Sequence, residues 1–217
     1  MKKAFIFDMD GVLIDSEPLW QQTELDLLHH YGIPITEQEL ACTRGMPSAP
    51  VLRYASELYQ KPLDIEKVAQ ELLDAAISNI LKAKPLMNGV PETLELLAQN
   101  DIKIAIASAS PRYMLENIVK SCGIADYFSY IASGAELPYS KPHPAVYLQA
   151  AQGLGIAPAE CIGIEDSKTG MISVKAASMS CIVIPNPLEF HENYWALADF
   201  KLAQMNAINQ PFLAQLS

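Results

Sequence analysis

The sequence has no apolar run approaching the roughly 20 residues of a membrane-crossing helix. It also has no Cys-x-x-Cys pair, no internal repeat and no low-complexity segment. Positive charge is scarce: 15 Lys and Arg stand against 25 Asp and Glu, a net charge of −10. Each absence excludes something. No membrane partner is expected. Lys2-Lys3 before Ala-Phe-Ile-Phe opens like a secretory leader, but Asp8 and Asp10 interrupt the apolar run too early. No targeting segment is read, and a cytoplasmic location is expected. The four cysteines, Cys42, Cys122, Cys161 and Cys181, lie far apart and are expected to be reduced, mostly buried thiols. The acidic balance argues against nucleic acid as a partner. An anionic substrate would have to be drawn in by a local cation cluster or a metal.

What is present is a large apolar fraction, 50% of 217 residues. That supports one sizeable core, as one large domain or a domain with an inserted subdomain. Strand-like and helix-like segments alternate over most of the chain, the pattern of an α/β fold with a parallel sheet. Strands are expected at 4–8, 102–108, 129–133, 161–165 and 181–184. Several are continuous apolar runs, as befits strands covered on both faces. Helices are expected from Pro91 to about Asn100, from Pro111 behind a Ser110 cap to Gly123, and over about 144–154 and 169–178.

Residues 16 to 84 read differently. Ser16 can cap a helix carrying Leu19, Trp20, Leu27, Leu28 and Tyr31 and ending at Gly32. Two further helical stretches follow near 50–60 and 64–82, with no convincing strand. The expected organisation is therefore core over 1–15, an all-helical insert over 16–84 and core again over 85–217.

The first strand ends in Asp8-Met9-Asp10-Gly11. Alternate strand residues point to one face, so both carboxylates converge where the strand opens into a loop. Gly11 allows a sharp turn there. Two acids so placed call for a divalent cation or a shared proton. An open parallel sheet binds ligands beyond the carboxyl ends of its strands. At those ends stand Asp8 and Asp10, then Ser108-Ala109-Ser110, then Glu165-Asp166, with Lys141 in the loop Pro138-Tyr-Ser-Lys-Pro-His-Pro144. Each alone has an ordinary explanation: an Asp-Gly turn, a helix cap, an acidic helix start or a solvated lysine. Together they compose a phosphoryl-transfer site. It has an aspartate nucleophile, a second aspartate as acid and base, and a lysine and metal to neutralise the transferring group.

Four segments occur in the order of the four motifs of the haloacid-dehalogenase superfamily. They are Asp8-Met-Asp10-Gly-Val-Leu-Ile-Asp15, Ala107-Ser108-Ala109-Ser110, Lys141-Pro142-His143-Pro144 and Gly163-Ile-Glu165-Asp166-Ser167-Lys-Thr-Gly170. The chain resembles that superfamily throughout, and most of all its bacterial 2-deoxyglucose-6-phosphate and hexitol-phosphate phosphatases. The resemblance implies a doubly wound α/β core with an inserted helical cap, and an Mg²⁺-dependent sugar-phosphate phosphatase; a monomer is expected. It implies Asp8 as nucleophile, Asp10 as acid and base, Ser108 as phosphate ligand with Ala109 beside it, and Lys141 as the bridging cation. Asp8, Asp166 and Glu165 would hold the metal, with Asp10 lending its backbone carbonyl. Dehalogenases of the family lack the second aspartate, which is present here. The related β-phosphoglucomutases carry a histidine where this chain has Trp20, so water is the expected acceptor. A sugar-phosphate mutase and a non-catalytic sugar-phosphate sensor are the rival readings. Arg44 and Gly45, in a loop that related caps send onto the leaving group, are candidate substrate contacts, and Trp20 is a pocket or packing residue. His29, His30 and His143 are expected to do no chemistry.

Overall fold

The computed structural model describes residues 2–43 and 46–216. Six strands form one parallel sheet: β1 (Ala4–Phe7), β2 (Lys103–Ser108), β3 (Tyr130–Ser133), β4 (Cys161–Glu165), β5 (Ser180–Val183) and β6 (Phe200–Lys201), in the order β3-β2-β1-β4-β5-β6. Strand β6 is only two residues long and carries no apolar run, so periodicity did not reveal it. Strands β1 and β4 are buried along their whole length, which explains their unbroken apolar sequence: both faces are covered.

The helices are α1 (Glu17–His30), α2 (Glu37–Leu40), α3 (Ser48–Leu58), α4 (Ile65–Ala83), α5 (Val90–Gln99), α6 (Arg112–Ser121), α7 (Ala145–Leu154), α8 (Lys168–Ala176) and α9 (Gln210–Gln215). Two capping expectations fail. Ser16 sits at the N-cap of α1 but makes no capping side-chain bond, because its backbone is already helical (φ −88°, ψ −22°). Helix α6 has Pro111 at its N-cap rather than Ser110, and no side chain caps it. The Ser110 hydroxyl is taken by Asp10 instead, at 3.2 Å. Helix α2 was not read from the sequence. Its four residues are held by a reciprocal capping box between Thr36 and Glu39. All four cysteines are free; Cys161 and Cys181 are buried, Cys122 is half-buried and Cys42 is exposed, so burial holds for half of them.

The chain divides into two compact units, Met1–Asp15 with Lys84–Ser217, and Ser16–Ala83. In the first, the sheet and its helices enclose a core of Ile6, Ala105, Ala107, Tyr147, Val174 and their neighbours. The Asp15 N–H donates to the Pro85 carbonyl at 2.8 Å. The chain thus leaves this unit and re-enters it at one spot, so an insertion there leaves the sheet's register undisturbed. The second unit is helical and has its own core around Leu28, Ile33, Leu52, Ala55 and Val68. Asn79 on α4 donates to Thr23 on α1 at 3.0 Å, and Tyr31 donates to Glu71 at 2.6 Å. His29 bonds the Ile35 carbonyl at 2.8 Å, a structural role. No described helix is long and apolar enough to cross a membrane.

Glu24 on α1 is half-buried, and desolvation pushes its carboxyl from 4.5 up to about 7. A carboxyl raised in the folded state binds more protons there than when unfolded. Its contribution is therefore full below about pH 4.5 and is lost as pH rises through about 7. Glu24→Gln should stabilise the protein at pH 8 and change little at pH 4.5, read as the variant-minus-wild-type shift of the denaturation midpoint. An equal shift at both pH values would refute this.

Candidate active site

Strand β1 lies between β2 and β4, so the chain order reverses beside it, and open α/β sheets bind ligands at such a point. Register brings the acids together. Phe7 pairs with Ile164, and the Asp8 N–H donates to the Ile164 carbonyl at 3.0 Å, placing Asp8 next to Glu165 as both strands end. Asp8, Glu165 and Asp166 each offer an oxygen within 4.8 Å of the others.

Into this group reaches Lys141. Its Nζ lies 2.9 Å from Asp8 Oδ1 and 2.7 Å from Glu165 Oε1. The loop that carries it is tied down by Ser173 on α8, which donates to the His143 carbonyl at 2.8 Å. His143 accepts the Ala145 N–H and stacks on Tyr139, which fits a loop-filling side chain. Asp8 Oδ1 also accepts the Met9 N–H at 2.8 Å, which locks its rotamer. Glu165 is fully buried, and Ser167 donates to its Oε2 at 3.1 Å. Ser167 in turn caps α8 by accepting the Gly170 N–H at 3.1 Å. Glu165 and Asp166 are thus no solvated acidic helix start; the first is closed off and the second is half-buried.

The second aspartate is held separately. Asp10 Oδ2 accepts from Ser110, whose N–H donates to Ser108 Oγ at 3.1 Å. Ser133 at the end of β3 donates to the Ser110 carbonyl at 2.8 Å, so the turn after β2 is braced from the neighbouring strand. Ser108 is buried at the strand end, and Ala109 is exposed.

Three carboxylates facing one ammonium leave a negative excess, and the titration behaviour follows it. Burial pushes the Lys141 ammonium toward neutrality, but Asp8 and Glu165 more than offset this and hold its pKa above the usual lysine value. Burial, then the charge of Asp8, pushes the Glu165 carboxyl up against the pull of Lys141. Asp166 rises well above the usual carboxyl range, first by burial and then by Glu165 and Asp8. A buried, oxygen-only, over-negative donor set suits a hard divalent cation. Two glycines make room for it. Gly11 adopts φ +73°, and a Cβ there would strike the Asp166 carboxylate; a Cβ on Gly170 would strike that of Glu165.

The structure therefore brings Asp8, Lys141, Glu165 and Asp166 into one cluster, with Asp10, Ser110 and Ser108 in a second linked group. Trp20 lies half-buried on α1 in the helical unit. Arg44 and Gly45 lie outside the described residues. Sequence reading missed Tyr147 and the link from Ser110 to Asp10. The Tyr147 hydroxyl donates to Glu165 Oε1 at 2.7 Å. In sequence Tyr147 is one apolar-face residue of a helix, and nothing local separates it from core.

The family model described as haloacid dehalogenase-like hydrolase matches residues 5–184. Hexitol phosphatase B of Escherichia coli is 41% identical over 208 residues, 94% of this chain and 93% of that protein. A phosphorylated carbohydrates phosphatase of Thermotoga maritima is 32% identical, covering 83% of each. Among solved structures, a β-phosphoglucomutase from Clostridium difficile superposes with a TM-score of 0.80 at 27% identity, over 99% of this chain and 96% of that one.

Gly170→Ala tests how rigidly Glu165 is held. The added methyl meets a carboxylate that three donors pin in place, so the variant should lose about 1–3 kcal/mol of stability, the usual cost of overpacking. Urea denaturation reads it; an unchanged midpoint would mean the carboxylate can swing away.

Proposed function

Because the chain belongs to the haloacid dehalogenase-like hydrolase family, we propose that it is a phosphoric monoester hydrolase acting on small sugar phosphates. The observation that carries this is the Lys141 ammonium clamped between Asp8 and Glu165 while Ser110 aims Asp10 separately. The phosphatase names of the relatives at 41% and 32% identity support the substrate class.

Asp8 is the nucleophile. Met9 and Lys141 occupy its Oδ1, and among the described residues no donor reaches Oδ2. Oδ2 attacks phosphorus, the bond to the sugar oxygen breaks, and an aspartyl phosphate forms. Asp10 gives its proton to the departing sugar oxygen, then takes one from the water that attacks phosphorus. That second attack releases inorganic phosphate and restores Asp8. Lys141 has three N–H groups and two acceptors among the described residues, which leaves one for an oxygen of the transferring group. Ser108 and the turn at Ala109 take the remaining phosphate oxygens. Asp8, Asp166 and Glu165, with the Asp10 backbone carbonyl, would hold Mg²⁺, which when bound supplies charge to neutralise the phosphoryl oxygens. The helical unit, with Trp20 and the segment of Arg44 and Gly45, is assigned the choice of leaving group.

A mutase would share the first half-reaction and return the phosphoryl group to sugar. Trp20 in place of the mutase histidine favours water. A mere sensor needs no acid and base at Asp10, and the bond from Ser110 that orients that side chain has no purpose in it.

The deciding experiment is a phosphate-release screen over phosphorylated sugars and hexitols with Mg²⁺. Release from several of these is expected; from β-glucose 1-phosphate with trace glucose 1,6-bisphosphate, accumulation of glucose 6-phosphate would overturn the reading in favour of the mutase. Exhaustive chelation should abolish turnover and Mg²⁺ restore it. Persistence of full activity would remove the metal from the scheme.

Asp8→Asn should eliminate turnover in a folded protein, whereas Asp10→Asn should slow it by about 10²–10⁴-fold, the usual share of acid–base catalysis. Substantial turnover by Asp8→Asn would require another nucleophile.

A further inference from the structure

Glu165 is a fully buried carboxylate, and such a charge is tolerated only where donors surround it. Its Oε1 accepts two hydrogen bonds, both at 2.7 Å: one from Lys141 and one from Tyr147. Tyr147 is itself fully buried on α7, and its ring lies under the same ammonium, with Nζ 5.3 Å from the ring centroid. One side chain therefore touches both members of the ion pair. The hydroxyl shares Oε1 with Lys141, which also serves Asp8 at 2.9 Å. Without the hydroxyl, Oε1 would have Lys141 as its sole donor among the described residues. In a dry environment the full charge of that oxygen would then fall to Lys141, strengthening its 2.7 Å contact with Glu165 at the expense of the longer one with Asp8.

We propose that Tyr147 is a positioning residue: its hydroxyl, by sharing Glu165 Oε1, keeps the Lys141 ammonium divided between Glu165 and Asp8. Its kinetic consequence rests on the phosphatase reading above; its structural consequence does not. Lys141 stands closest to the transferring group when held at Asp8, so the effect falls on the chemical step more than on sugar binding.

Tyr147→Phe isolates the hydroxyl, since the ring over Lys141 is retained. A hydrogen bond to a charged group is worth enough to expect about a tenfold fall in kcat, with KM for the sugar phosphate within about twofold. Tyr147→Leu should lose no more kcat than Tyr147→Phe beyond what its lower stability explains. In a Glu165→Gln background, Tyr147→Phe should change kcat by less than about twofold, because the two residues act as one unit. A crystal structure of Tyr147→Phe reads the inference without turnover: Nζ is expected to have left hydrogen-bond distance of Asp8. Nζ still bridging both carboxylates, or wild-type kcat in Tyr147→Phe, overturns it. Should the wild-type protein release phosphate from no ester, the phosphatase reading falls, and the position of Nζ in that crystal structure still decides the role of Tyr147.

Discussion

A single buried ammonium holds the site together. Lys141 lies between Asp8 and Glu165, two carboxylates brought together by the pairing of β1 with β4. Burial pushes the Glu165 carboxyl up and the Lys141 ammonium toward neutrality, and each opposes that push on the other. The attraction does not complete the balance, because Asp166 adds a third carboxylate. Three acids around one ammonium make a donor set that could hold a metal ion, in a protein whose net charge is −10.

The remaining architecture serves to place these groups. Parallel strands deliver their carboxyl ends to one edge, so four separate stretches of chain contribute side chains there. Small side chains and glycines supply the clearance. Gly11 lets the chain pass close to Asp166, and Gly170 lets α8 approach the Glu165 carboxylate. Serines do the fine orientation: Ser110 holds Asp10, Ser167 holds Glu165 and Ser173 holds the Lys141 loop. The helical unit has its own core and joins the sheet unit where Asp15 bonds Pro85.

Much of this was legible in the sequence, for reasons that differ by element. Strands β1 and β4 read as apolar runs along their length, and β2 does so after its exposed Lys103, because they are buried on both faces; a polar residue ends β2 and β4 and directly follows β1. Asp8, Asp10, Ser108, Glu165 and Asp166 stand out as polar groups at or just past strand ends, and Lys141 as a charge in a Pro-rich loop. Strand β6 and helix α2 were missed because two- and four-residue elements carry no period. The caps at Ser16 and Ser110 were misread because a hydroxyl near a helix start has alternatives that local sequence does not display. At Ser110 the alternative is a carboxylate 100 residues away.

The sequence by itself determined the α/β order, the helical stretch between the first strand and the rest, and the set of chemical groups available, since these follow from periodicity and residue type. Only the tertiary structure decided how those groups pair. That Lys141 bridges two acids, that Tyr147 shares one oxygen with it, and that Ser110 donates to Asp10 all depend on register between strands and on helix packing. Those relations join residues far apart in the chain, and a shift of one residue in the pairing of β1 with β4 would part Asp8 from Glu165.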